Sequence, residues 1–148
     1  MTFTIKKLLP GDFHLFKQLS VFFQADDGVP EPIIPSDEYL KNLLLKDQFH
    51  VVVAMQGGEL VGGLTAHELE LYSRSINEMF LYEIAVYPEY RQKGIAKALI
   101  GFLKDICFEK GIKEMYVGTS VNNHEAMRLY KSTGGEADDE IAWFVYQI

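Results

Sequence analysis

The chain has 148 residues, 48% hydrophobic and 24% charged, with a formal net charge of −7 from 21 acidic and 14 basic side chains. That is one domain's worth of chain with enough apolar residues for a core, no run that approaches the roughly 20 apolar residues of a membrane span, and a charge that argues against nucleic acid, whose binding rests on neutralising phosphates. The lone Cys107 has no disulfide partner and the opening MTFTIKKLLPGD lacks the apolar core of a secretory leader, both in keeping with a reducing, cytoplasmic setting.

Phe3 and Ile5 alternate along Thr2 to Leu8 as a short strand. Pro10-Gly11-Asp12 turns the chain and offers an N-cap to a helix carrying Leu15, Phe16, Leu19, Phe22 and Phe23. Residues 24–35 hold three prolines without periodicity and read as a loop. Ser36 or Asp37 then caps a short helix with Tyr39, Leu40, Leu43 and Leu44. The β-branched run His50 to Met55, the Gly57-Gly58 turn and Glu59 to Leu71 form a hairpin, and Met79 to Val86 is a further strand. Gly94 to Lys110 is a helix burying Ile95, Leu99, Leu103, Ile106 and Cys107, and Gly111 ends it. A fifth strand is predicted over Glu114 to Gly118, a last helix over Asn123 to Thr133 closed by Gly134-Gly135, and a final strand over Trp143 to Ile148. A meander followed by strand–helix–strand predicts a mixed sheet with helices on both faces, an α/β fold of the α+β kind in one domain over 1–148.

The stretch YRQKGIA, residues 90–96, joins a strand to a helix. A helix N-terminus presents N–H groups without intrahelical partners and the positive end of the dipole. Gly94 lets an anion approach the backbone, and Arg91 and Lys93 add positive charge. A pyrophosphate cradle and an ordinary solvated connection both fit this spacing. Glu83 stands out inside the apolar FLYEIAV, where strand alternation puts it with Leu81 and Ala85, opposite Tyr82, Ile84 and Val86. Burying a carboxylate is costly unless it is paired, so Glu83 either handles a proton or cation or forms a structural ion pair or hydrogen bond to a neighbouring loop. Cys107 lies on an apolar helix stripe and reads as packing. The four histidines share no ligand spacing, so no metal is expected.

RQKGIA after an apolar strand resembles the R/Q-x-x-G-x-G/A signature of the GNAT N-acetyltransferases, with Ala96 at the last small position. Asn123, Ala126, Leu129, Tyr130 and Gly134 resemble the family's second signature, N-x-x-A-x-x-L-Y-x-x-x-G. The sequence departs from the family at Gly135, where an aromatic is usual, and in a short C-terminal part. The resemblance implies a V-shaped split between the two central strands that receives acetyl-CoA as co-substrate. It places the pyrophosphate on the N–H groups of Gln92, Lys93, Gly94, Ile95 and Ala96. The pantetheine then runs along the strand near Ile84 and Val86 and meets Asn123, whose plainer role is a helix N-cap. Tyr130 takes the general acid's place, with core packing as its other reading, and the N–H of Ala85 or Val86 polarises the thioester carbonyl.

The stretches SDEYLKNLL, VGGLTA and FLYEIAVYPEYRQKGIA look most like the aminoglycoside 3-N-acetyltransferases within that superfamily. This implies a small-molecule, cationic amine acceptor. On the family layout Asp26, Asp27 and Glu31, with Glu136, Asp138, Asp139 and Glu140, would surround its entry, where acids raise a polycation's local concentration; an acidic surface kept for solubility explains them as well. Three readings stay open: an aminoglycoside acetyltransferase, the same class acting on a polyamine, peptide N-terminus or metabolite amine, and a non-catalytic acetyl-CoA sensor. Neither nucleic acid nor membrane is expected as a partner, and a homodimer is left open.

Overall fold

The structure, a computed structural model, describes residues 2–148. It falls into two compact units, Met1–Gly118 and Thr119–Ile148. The first holds one mixed sheet of β1 (Thr4–Lys7), β2 (Phe49–Gln56), β3 (Glu59–Glu70), β4 (Asn77–Val86) and β5 (Met115–Tyr116), paired in that order. β1 to β4 form an antiparallel meander and β5 joins β4 in parallel. The β2–β3 turn needs positive φ at both central residues, which Gly57 (60°) and Gly58 (79°) supply.

Helices cover both faces of this sheet, which is why every residue of β2 from Phe49 to Ala54 is buried and all but His50 are apolar. On one face α1 (Phe13–Asp26) and α2 (Asp37–Leu44) pack Phe16, Leu19, Phe23, Leu40 and Leu44 onto Phe49, Val51 and Val53. α1 lies close, since a Cβ on Gly63 would stand 2.8 Å from a Leu19 methyl. α3 (Ile95–Lys110) takes the opposite face with Ile95, Leu99, Ile100, Leu103 and Cys107 buried. Its C-terminal Lys110 reaches Glu68 Oε2 at 2.5 Å, and the same oxygen meets the fully buried His50 Nε2 at 2.5 Å. Asn77 Nδ2 donates to the other Glu68 oxygen at 3.1 Å. Burial alone would raise the Glu68 pKa, but its hydrogen bonds with Lys110, His50 and Asn77 outweigh that and hold it below the ordinary carboxylate value, while burial keeps His50 below its own. This cluster ties β2, β3, β4 and α3 together.

Gly111 (φ 73°) ends α3 as foreseen, with Ile112 N–H donating to Cys107 O at 2.9 Å. The fifth strand is shorter than the predicted Glu114 to Gly118, because only Met115 and Tyr116 pair with β4.

In the second unit, α4 (His124–Ser132) starts on Asn123, whose side chain accepts from Ala126 N–H at 3.1 Å. It closes through Gly134 (φ 99°) and a Gly135 N–H to Tyr130 O bond of 2.8 Å. A Cβ at Gly135 would stand 2.9 Å from that same oxygen, so an aromatic at this place would break the closure. The strand predicted over Trp143 to Ile148 does not form. The segment has strand-like residues, but a strand needs a ladder, and the five-stranded sheet does not include it. Trp143, Phe144, Val145 and Tyr146 are left exposed. Among the described residues no helix is long and apolar enough to cross a membrane, and no group of three or more His, Cys, Asp or Glu could hold a metal.

Candidate active site

β4 and β5 part company early. They pair only at Met79 with Met115 and Phe80 with Tyr116, whereas β4 runs on to Val86 against β3. Beyond Phe80 the side of β4 that faces β5 therefore has no ladder partner, and the sheet opens there as a V. Tyr87 N–H donates to Val61 O of β3 at 2.9 Å. Antiparallel alternation then turns Ala85 N–H to β3 as well and leaves the N–H groups of Ile84 and Val86 on the open side. Of the two carbonyl polarisers suggested by sequence, the geometry leaves Val86 available.

A β-bulge lies beside the opening. Thr65 pairs with Glu83 but Ala66 pairs with Leu81, so Tyr82 is the extra residue with no partner on β3. This corrects the sequence reading of Glu83. Neighbours Thr65 and Ala66 point to opposite faces, so their partners Glu83 and Leu81 do too. Leu81 shares the α3 face with Ile84 and Val86, and Glu83 with Ala85 is turned to the α1 face. Simple alternation failed because it cannot register an inserted residue.

On that face Glu83 is half-buried, with the Asp27 carboxyl within hydrogen-bonding reach and Asp26 close by. Burial first, then the charge and hydrogen bond of Asp27 and the charge of Asp26, push its pKa up to about 7.

The loop expected to cradle an anion is shaped by backbone. After Arg91 the chain passes through Gln92 (φ 62°) and Gly94 (φ 81°) into α3. The first intrahelical bond is Ala98 N–H to Gly94 O, so the N–H groups of Ile95, Ala96 and Lys97 precede it. A Cβ at Gly94 would meet nothing within 4 Å, so the approach is open, and no acid stands in the first turn. The basic side chains brace the loop instead of filling it. Arg91 Nε donates to Val86 O at 2.8 Å and its Nη2 to Asp26 Oδ1 at 3.0 Å. Lys93 Nζ reaches Glu89 O at 3.3 Å and lies 5.5 Å from the Tyr90 ring centre. The structure thus brings Asp26, Asp27, Glu83 and Arg91 together, joining two acids expected at the acceptor to a base expected at the coenzyme. Their separation of up to 65 positions hid the Asp26–Arg91 pair from sequence reasoning.

Glu31 lies in an exposed loop that Gln24 fastens through the N–H and C=O of Ile33, at 2.9 and 2.8 Å. In the second unit the Tyr130 phenol is half-buried, and burial pushes its pKa up. Asn123 acts as the N-cap of α4, and Ala126 is the residue whose N–H it accepts from. Asp138 accepts from Glu140 N–H at 2.9 Å, and Asp139 is exposed. A groove of about 490 Å³ along α1, lined by His14, Gln18, Phe22, Ile34 and Tyr87 among others, includes none of the expected site residues.

Sequence reasoning also missed a row of rings. Phe80 stacks on Tyr116 (centroids 5.1 Å, planes 26° apart) and meets Tyr82 edge-on at 5.9 Å, Tyr82 meets His67 at 5.8 Å, and His67 meets Phe49 at 4.9 Å. Aromatics two apart in FLY were the available signal, but their partners on β3 and β5 depend on register.

The opened strand pair and the glycine loop that leads into α3 are the arrangement expected of a coenzyme-dependent acyltransferase. The Acetyltransferase (GNAT) family profile matches residues 16–134, and the chain belongs to that family, whose members use acetyl-CoA. The structure of an aminoglycoside acetyltransferase from an uncultured soil metagenomic sample, in complex with sisomicin, superposes with a TM-score of 0.93 at 31% identity over 99% of this chain and 96% of that one. Aminoglycoside N(6′)-acetyltransferase type 1 of Salmonella typhimurium is 28% identical over 116 residues, 74% of this chain and 80% of its own. A ribosomal-protein-alanine N-acetyltransferase from Brucella melitensis biovar Abortus 2308 has a TM-score of 0.76 at 26% identity over 100% and 99% of the two chains. The Salmonella relative is named for the 6′ amine, where the sequence had suggested the 3-N group.

Proposed function

We propose that this chain is an acetyl-CoA-dependent N-acetyltransferase, working as one domain over 1–148, that acylates an aminoglycoside at an amine of the 6′ type by direct attack. The observation that carries the reading is the Glu83–Asp27–Asp26 carboxyl group beside the opened edge of β4. The group sets carboxyls where a cationic amine must arrive, and Glu83, at about 7, titrates where a general base is useful. The pyrophosphate rests on the N–H groups that open α3, with Gln92, Lys93, Gly94 and Ala96 shaping the loop. The thioester lies along Ile84 to Val86, and Val86 N–H stabilises the charge that develops on its oxygen. The amine nitrogen attacks the carbonyl carbon and gives its proton to Glu83 or to water. The C–S bond breaks, and Tyr130, kept protonated by the burial that raises its pKa, supplies the proton that the thiolate takes up.

Peptide N-terminus acylation is the second reading, supported by the likeness to the ribosomal-protein-alanine enzyme. A thiol-release assay with acetyl-CoA and sisomicin, spermidine and an alanine-initiated peptide separates the two. The aminoglycoside reading expects kcat/KM highest for sisomicin. Turnover of the peptide alone replaces it, and coenzyme binding without turnover of any amine leaves a sensor.

A further inference from the structure

The row of rings lies outside every role assigned above. Phe80 pairs with His67 on β3 and with Tyr116 on β5, so the three side chains stand on one face of the sheet. It is the α1/α2 face, because His67 also pairs with Phe49, a member of that core. The row begins at Phe49, where the helices' cover stops, and its outer members stay open, Tyr82 at 60% and Tyr116 at 37% exposure. Cross-strand aromatic pairs stabilise sheets by burial, but a tyrosine this exposed contributes little in that way. Tyr82 is also the bulged residue, aimed by the insertion and followed at once by Glu83.

We infer that Phe80, Tyr82 and Tyr116, flanked by His67, form a platform on which the sugar rings of a polycationic amino sugar stack while its ammonium groups turn to the carboxylates of Glu83 and Asp27. This rests on the aminoglycoside reading above and names what would select that acceptor over other amines. The chemistry is specific. Amino-sugar rings present C–H faces to aromatic rings, and their ammonium groups are attracted to the negative face of such a ring. A linear polyamine has the charge without the ring faces. The surrounding charge suits a cation, since Glu78 lies near Tyr116 and Asp26, Asp27 and Glu83 lie beyond Tyr82, against Lys46 near His67.

The test compares wild type with Tyr116→Leu, Tyr116→Trp and Tyr82→Leu. It uses sisomicin and spermidine as acceptors, calorimetric binding of sisomicin, a thermal melt and sedimentation. The expected result is a KM and Kd for sisomicin about 10-fold higher in both Leu variants, a worth of about 1.4 kcal/mol. The sisomicin-to-spermidine ratio of kcat/KM falls with it, the KM for acetyl-CoA moves less than about 2-fold, and Tyr116→Trp restores sisomicin binding. Should Tyr116→Leu fail to fold, Tyr82→Leu decides, since Tyr82 is exposed and has no ladder partner on β3. A selectivity ratio unchanged in the folded variants overturns the platform, and so does a dimer that becomes monomer with sisomicin KM intact, which makes the row a contact between copies. Wild type that does not bind sisomicin overturns it too. Sisomicin binding that weakens in the Leu variants without any acetyl transfer keeps the platform and removes the proposed acceptor chemistry.

Discussion

Glu83 is held in a state that costs the fold something. Its folded pKa of about 7 lies above the ordinary 4.5, so between those values the folded chain binds more protons than the unfolded one. The carboxyl is tolerated at low pH and becomes a cost as pH rises through 7. Glu83→Gln should therefore gain melting temperature at pH 8 relative to wild type, with no gain at pH 4. In kinetics the same substitution should lower kcat/KM for a cationic acceptor about 10- to 100-fold and remove the acidic limb near pH 7. A lower melting temperature with an intact pH profile would return Glu83 to a structural role. Tyr130→Phe keeps the ring and loses the proton, so kcat should fall about 10- to 1000-fold with the KM for acetyl-CoA little changed. An unchanged kcat across pH 6 to 9 would mark Tyr130 as packing. Glu83 was legible in the sequence as a carboxylate among apolar neighbours, but its partner Asp27 was not, because that contact spans two distant elements and a bulge.

The loop before α3 shows why short motifs read well and their side chains do not. Glycine positions follow from backbone geometry, which is local, and Gly94, Gly111 and Gly134 all have the positive φ that their motifs require. The destinations of Arg91 and Lys93 are tertiary and were invisible. Gly94→Asp should abolish acetyl-CoA binding in calorimetry for two reasons: a carboxylate facing the phosphates, and a left-handed φ costing about 1–2 kcal/mol for a residue with a Cβ. Near-normal binding would move the phosphates elsewhere. The ends of the prediction failed for a related reason. The fifth strand shrank where β4 and β5 separate, and the last strand did not form, because strand length is decided by the partner and not by the segment's own composition.

Acid should unfold this protein through one place before others. The cluster of His50, Glu68, Asn77 and Lys110 joins three strands to α3, and both His50 and Glu68 favour neutral pH. Glu68, with its pKa lowered, contributes stability that is lost as pH falls, and buried neutral His50 resists the proton that the unfolded chain takes up below about 6.5. Melting temperature should drop steadily from pH 6.5 to pH 4 in wild type and more shallowly in Glu68→Gln, which starts lower at pH 7. Parallel curves for the two would place the acid sensitivity outside this cluster. The meander, the crossover helix and the covered faces were all readable from hydrophobic period and glycine punctuation, since each depends on neighbours close in the chain.

The extra residue in β4 is also separable from the ladder that carries it. Because Leu81 and Glu83 already face partners that adjoin on β3, excising Tyr82 would leave every pairing of the two strands as it is and simply straighten the ladder. A single-codon deletion here should yield a cooperatively melting protein without transferase activity, whereas one at Val52, inside the doubly covered β2, should not fold. The hairpin's pairing does not call for Tyr82, so scaffold and activity part at this one residue.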